Sequence, residues 1–140
     1  MTTLLQTYVD ALYQSVDSSP DFPAVTEKST LRAFRREDPL MLVIHLGKEG
    51  VSPDSRWPRA TRIRELLCTA HTAGADRDDA CEAIFEALQP IVMGFSADGL
   101  VMIEEFGTDE PKYVQGDLDR MMVTKRFRIT YQTMDDSLAH

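Results

Sequence analysis

Three histidines, two cysteines and a few groups of neighbouring acids are the residues of this 140-residue chain that could do chemistry. A metal site needs His, Cys or carboxylate ligands at short recurring spacings, and a nucleophile needs a base within reach. His45, His71 and His140 are far apart and show no such spacing, and Cys68 and Cys81 form no CxxC pair. Both cysteines sit in apolar surroundings, where a thiol behaves as a small hydrophobe and not as a thiolate. His45 lies inside the apolar run LMLVIHL and reads as a core histidine. Glu104 and Glu105 are adjacent, so on a strand they point to opposite faces and cannot act as a catalytic pair. Asp76, Asp78 and Asp79 lack the glycine turn of a calcium loop; acids there suit the positive end of a helix dipole instead. The cluster Arg32, Arg35 and Arg36 reads as a solvated edge. Nucleotide-binding glycine patterns, the GxSxG elbow and zinc motifs are all missing. The chain therefore reads as a non-enzyme that uses no cofactor and no metal.

The elements that carry these residues follow from apolar spacing. In 76–93 (DRDDACEAIFEALQPIVM) the residues Ala80, Cys81, Ile84, Phe85, Leu88, Ile91 and Val92 recur at helical period, with Asp78, Asp79, Glu82 and Glu86 opposite. Asp76 is placed to cap this helix, Pro90 to end or kink its last turn, and Gly94 to close it. A second helix is expected over 3–17, with Leu4, Leu5, Tyr8, Val9, Leu12, Tyr13 and Val16 on its apolar stripe and Thr2 or Thr3 as cap. Between the helices, 30–34 reads as a short strand and 40–46 as a strand apolar on both faces. Next, 47–58 (GKEGVSPDSRWP) reads as a long loop carrying the chain's one tryptophan. The stretch 59–72 has Ile63, Leu66, Leu67 and Ala70 at a helical spacing too, but Pro58 and Gly74 bound it, and a strand there pairs with 40–46 as a hairpin. After the central helix come a strand at 99–106, a polar connection at 107–119, and the cleanest alternation of the chain at 121–133. There Val123, Phe127, Ile129 and Tyr131 face inward and Thr124, Arg126, Arg128, Thr130 and Gln132 outward. The expected fold is one α+β domain over 1–140, with 133–140 as a frayed tail. Its mixed or antiparallel sheet of four to five strands carries an N-terminal helix and a central crossover helix. Phe85, Leu88, Ile44, Ile63, Phe127 and Ile129 are the expected core.

Charge narrows the partners. The net charge is −8, and residues 71–140, with six basic and fourteen acidic side chains, hold all of it, because nine basic and nine acidic residues cancel in 1–70. Such an excess opposes general nucleic-acid binding, which needs cations to replace phosphate counterions. No run approaches the roughly 18 apolar residues of a membrane span, and two scattered thiols fit a reduced compartment.

Taken in order, these pieces resemble a phage tail terminator of the lambda minor tail protein U type. The likeness is carried by the leading helix LLQTYVDALYQSV, the strand DPLMLVIHLGKEG, and the tryptophan loop leading into RWPRATRIRELLCTAHT. It continues through the acidic-capped helix DDACEAIFEALQPIVM and the closing strand TKRFRITYQT; residues 18–37 depart from the pattern. The resemblance implies a sheet-and-helix fold related to that of the tail-tube subunit, and a homohexameric ring on the end of the finished tube. That ring stops tube polymerisation and meets the head-completion or connector protein. It also implies assembly in the host cytoplasm, a final place at the head–tail junction, DNA passing through the ring without sequence-specific binding, and no membrane. The expected subunit or tail-tube interface is Lys48, Glu49, Val51, Trp57 and Arg59. The acids expected to face the lumen or the connector are Glu82, Glu86, Asp109, Glu110, Asp117 and Asp119, where like charge would keep DNA from sticking. Another head–tail joining (neck) protein of the same fold, a small ligand- or peptide-binding α+β module, and an enzyme with an unrecognised site are the competing readings.

Overall fold

The computed structural model describes residues 3–27, 40–53, 55–114, 117–134 and 136–139. Its spine is β6 (Asp117–Met134), the strand with the strict alternation. Met121, Val123, Phe127, Ile129 and Tyr131 all point to one face and are buried. Along one side of β6 runs β3 (Arg59–Ala73), antiparallel and in unbroken register from Arg59 opposite Met134 to Ala73 opposite Arg120. Fifteen residue pairs make a ribbon about 50 Å long at about 3.3 Å per residue. The other side of β6 is shared end to end by β4 (Leu100–Thr108) and β5 (Lys112–Val114). Beyond β3 lie β2 (Met41–Val51), antiparallel, and β1 (Val25–Glu27), parallel to β2. The order is β1-β2-β3-β6-β4, with β5 beside β6.

Both helices cover the same face. α1 (Leu4–Asp17) starts on a capping box: the Gln6 backbone N–H donates to Thr3 Oγ1 at 3.1 Å, and the Thr3 N–H donates to Gln6 Oε1 at 3.0 Å. Its stripe of Leu5, Tyr8, Val9, Leu12 and Val16 is buried. α2 (Arg77–Met93) buries Cys81, Ile84, Phe85, Leu88 and Val92 in one cluster with Leu42, Ile44, Leu66, Cys68, Phe127 and Ile129 from the sheet. β3 and β4 are both antiparallel to β6, hence parallel to each other, so α2 is the crossover that carries the chain over β6 from one to the other. This is the α+β fold expected, with a six-stranded sheet among the described residues instead of four or five.

Several local expectations are corrected. β2 does not stop at Leu46: a bulge between Leu46 and Glu49 shifts the register, and the strand runs on to Val51. Gly47 serves close approach there, since a Cβ on it would stand 2.8 Å from Glu65 Oε2 and 3.1 Å from Glu65 Cβ. The loop expected at 47–58 thus begins only after Val51. The connection expected at 107–119 shrinks likewise, because β4 reaches Thr108 and β5 occupies Lys112–Val114. Asp76 holds the N-cap position but makes no side-chain capping bond, and Pro90 lies inside α2, exposed, without ending it. Gly94 does close the helix, as expected: its N–H donates to the Pro90 carbonyl at 3.0 Å, with φ −89°. Ile63 is half-buried on the face away from the helices. Residues 133–140 were expected to fray, yet Thr133 is fully buried and the Leu4 N–H donates to the Leu138 carbonyl at 2.9 Å. The first described strand is Val25–Glu27; the strand expected at 30–34 and the cluster Arg32, Arg35 and Arg36 lie outside the described residues, as does His140.

Candidate assembly surfaces

The residues that could do chemistry are dispersed through the described fold. Cys68 and Cys81 are buried. Burial pushes the Cys68 thiol up to about 12, against a smaller pull from Lys125, and pushes Cys81 up to about 11 with help from Glu82 and Asp78. Neither is a thiolate at neutral pH. His45 and His71 share the sheet face opposite the helices; His45 is opposite Leu67 and His71 opposite Met41, with the Val43–Thr69 row between them. Burial holds both below the ordinary histidine value, with Arg126 adding to the effect at His45 and His45 adding to it at His71. His45 Nε2 lies 3.4 Å from Thr69 Oγ1, which shares a 2.9 Å hydrogen bond with Thr124 Oγ1. Glu104 and Glu105 do face opposite ways, in register with Arg128 and Phe127. Among the described residues, no three His, Cys, Asp or Glu side chains are grouped to hold a metal.

What the fold presents instead is surface. At the far end of the β2–β3 hairpin the chain turns through 52–58, tied by Ser55: its Oγ donates to the Ser52 carbonyl at 2.7 Å and accepts the Thr61 N–H at 3.0 Å. This tie holds Trp57 out, 82% exposed, between the exposed Arg56, Pro58 and Arg59. The Trp57–Pro58 peptide bond is cis. Of the residues expected at an interface, Lys48, Val51, Trp57 and Arg59 are exposed at this end of the sheet. Glu49 is not free to join them. Turned to the helix face by the bulge, it accepts the Tyr131 hydroxyl at 2.5 Å and lies 3.9 Å from Arg64.

The acids divide in the same way. Asp109 is gripped by both donors of the Arg126 fork, each at 2.9 Å, with Glu65 beside the same guanidinium at 3.3 Å. The Arg126 hydrogen bond holds the Asp109 carboxyl below its ordinary value. Its charge is therefore matched locally. Glu110 is exposed in the turn between β4 and β5. Asp117 and Asp119 belong to β6, and their side chains lie outside the described residues. Glu82 and Glu86 are exposed on α2, and with Asp78 they recur every fourth residue, a straight row along the helix.

That row is one wall of a groove that the sequence did not reveal. Where β4 stops and β5 begins, the outer edge of β6 is bare of a full-length neighbour, and a cleft of about 320 Å³ opens between α2 and the sheet. Phe85, Met121 and Val123 line its apolar part, with Asp78, Glu82 and Asp109 at the rim. A second cleft of about 510 Å³ shares Glu82, Phe85 and Lys125 with it and extends to Glu86 and Gln89. Lys125 lies between the two, but its charge is spent within the fold: Nζ is 2.7 Å from Glu105 and lies over the rings of Phe85 and Phe127. The only sequence signal for this groove was the spacing of Asp78, Glu82 and Glu86.

With this geometry in place, comparison with known proteins is informative at the level of fold. No protein-family model matches the chain, and no curated protein sequence matches it. Among solved structures, a chain from the virion of a native gene transfer agent (GTA) particle superposes with a TM-score of 0.67 at 16% identity, over 94% of this chain and 96% of that one. The protein has the fold of a virion chain. Nearly complete coverage in both directions means that the two share the whole arrangement and not one motif. No helix among the described residues is long and apolar enough to cross a membrane.

Proposed function

We propose that this chain is a structural component of a phage or phage-like virion, and within it the tail terminator. In this reading it closes into a six-membered ring on the end of the finished tail tube, stops tube growth, and offers its other surface to the head-completion or connector protein. Its partners are other copies of itself, the tail-tube protein and the connector. DNA passes through the ring without sequence-specific contact. The protein assembles in the host cytoplasm and ends at the head–tail junction. The observation that carries the reading is the fold shared with the gene transfer agent virion chain over nearly the full length of both. Supporting it are the exposed Trp57 loop and the groove between α2 and the sheet, which are features of a protein that acts by contact.

Native mass measurement, alone and with purified tail tubes, tests this directly. The expected result is a species near six times 15.8 kDa and, by electron microscopy, tubes that carry a ring at one end and no longer elongate. A chain that stays monomeric in both settings refutes the ring. A chain that binds the connector yet leaves tubes growing would be a neck protein instead.

A further inference from the structure

The tryptophan loop and the acidic groove are complementary. The loop offers one large aromatic side chain with an arginine on either side, Arg56 and Arg59. The groove offers an apolar floor of Phe85, Met121 and Val123 beneath the row Asp78, Glu82 and Glu86. The other charges at the groove are already paired, Lys125 with Glu105 and Asp109 with Arg126, so the helix row sets its sign. Within one molecule the two surfaces cannot meet. Arg59 is opposite Met134, and Val123 lies eleven residues down the same strand, about 36 Å away at about 3.3 Å per residue.

We infer that the 55–59 loop of one copy seats in the α2–β4–β5 groove of the next, with Trp57 on the apolar floor and Arg56 against Glu82 and its helix neighbours. The inference rests on the ring reading and specifies the contact that would close the ring. Loop and groove are different surfaces, so the contact is head-to-tail and repeats from copy to copy, the arrangement that yields a closed ring when the rotation between copies permits. An indole buries about 150–250 Å² and is the side chain that most often dominates such a contact.

The test is charge exchange read by native mass across a concentration series. Trp57→Ala, Arg56→Glu and Glu82→Arg alter exposed side chains, so each variant should keep the thermal unfolding midpoint of the wild-type monomer. Each should weaken self-association by about tenfold or more. An equimolar mixture of Arg56→Glu and Glu82→Arg should assemble again. In an alternating ring the reversed loop meets the reversed groove, the native loop meets the native groove, and six positions allow strict alternation. If wild type forms a ring and the three variants form it equally well, the loop-to-groove contact is wrong and the ring reading stands. If the variants keep the ring but lose attachment to tube or connector, the loop serves another protein, and the inference again fails. If wild type never self-associates, with or without tubes, the ring reading falls and takes this contact with it.

Discussion

Tyr8 ties α1 to the start of β4 in two ways that substitution can separate. Its ring is 1% exposed and meets Phe95 and Tyr131 edge-on, with centroids 6.3 and 5.9 Å away. Its hydroxyl donates to the Asp98 carbonyl at 2.6 Å. Tyr8→Phe removes only the hydrogen bond and should cost about 1 kcal/mol. Tyr8→Ala removes the ring as well and should cost about 3–5 kcal/mol in all, so packing outweighs the hydrogen bond at least about twofold. The neighbouring Gly99 makes the geometry checkable. Its φ is +82°, and a Cβ there would stand 2.9 Å from the Tyr8 hydroxyl oxygen. Gly99→Ala should therefore cost about 1–2 kcal/mol for the left-handed backbone, with the clash added. Tyr8→Phe deletes the oxygen that the new methyl strikes. The double variant should then be less destabilised than the two singles combined, by about 1 kcal/mol. Urea unfolding at one fixed protomer concentration measures all four, since self-association would otherwise add to apparent stability. Strict additivity, or a Tyr8→Phe variant as unstable as Tyr8→Ala, would refute this account of the α1–β4 joint.

Phe85→Ala should cost about 3–5 kcal/mol, because the ring belongs to the core cluster and lies under Lys125; an unchanged melting temperature would remove it from the core. Gly47→Ala should cost about 1–3 kcal/mol by forcing the β2 bulge away from Glu65 and Leu67, whereas a neutral result would mean that the bulge yields freely. His45 and His71 titrate below the ordinary 6.5 in the folded protein, so protonation favours the unfolded chain. Stability from these two is present above about pH 6.5 and is lost as pH falls from there through their lower folded values. The urea midpoint should drop between about pH 7.5 and about pH 5.5, and a His45→Gln/His71→Gln variant should drop less; equal slopes would assign the loss to other groups.

What the sequence showed well was periodicity with one buried face. The stretch MMVTKRFRITYQT reads as a strand because its inward residues are apolar and its outward ones polar. Lys125 breaks that rule and is tolerated because Glu105 and two aromatic rings receive it. The stripe of α2 was legible for the same reason. Errors arose where pattern and packing part company. Gly47 after an apolar run looks like a stop, but here it leaves room for the Glu65 and Leu67 side chains at a bulge, after which the strand resumes with Glu49 turned inward. Ile63 sits on a strand whose two faces both carry apolar residues, and alternation alone does not say which of them meets the helices. β1 and β5 have three residues each, too few to show any period.

The surfaces were the least legible part, for a physical reason. A net charge is a property of composition, whereas the potential at a surface depends on which charges already have partners. Fourteen acids in the second half looked like one negative face. The fold sets Asp109 on Arg126 and Glu105 on Lys125, and leaves Asp78, Glu82 and Glu86 as an exposed row along α2. Complementarity between that row and Arg56 is invisible in sequence order, because it joins residues at opposite ends of the β3–β6 ribbon in two different molecules. It also bears on how assembly would end. A contact between unlike surfaces leaves each free copy with one open loop and one open groove, so addition continues until the last groove receives the first loop.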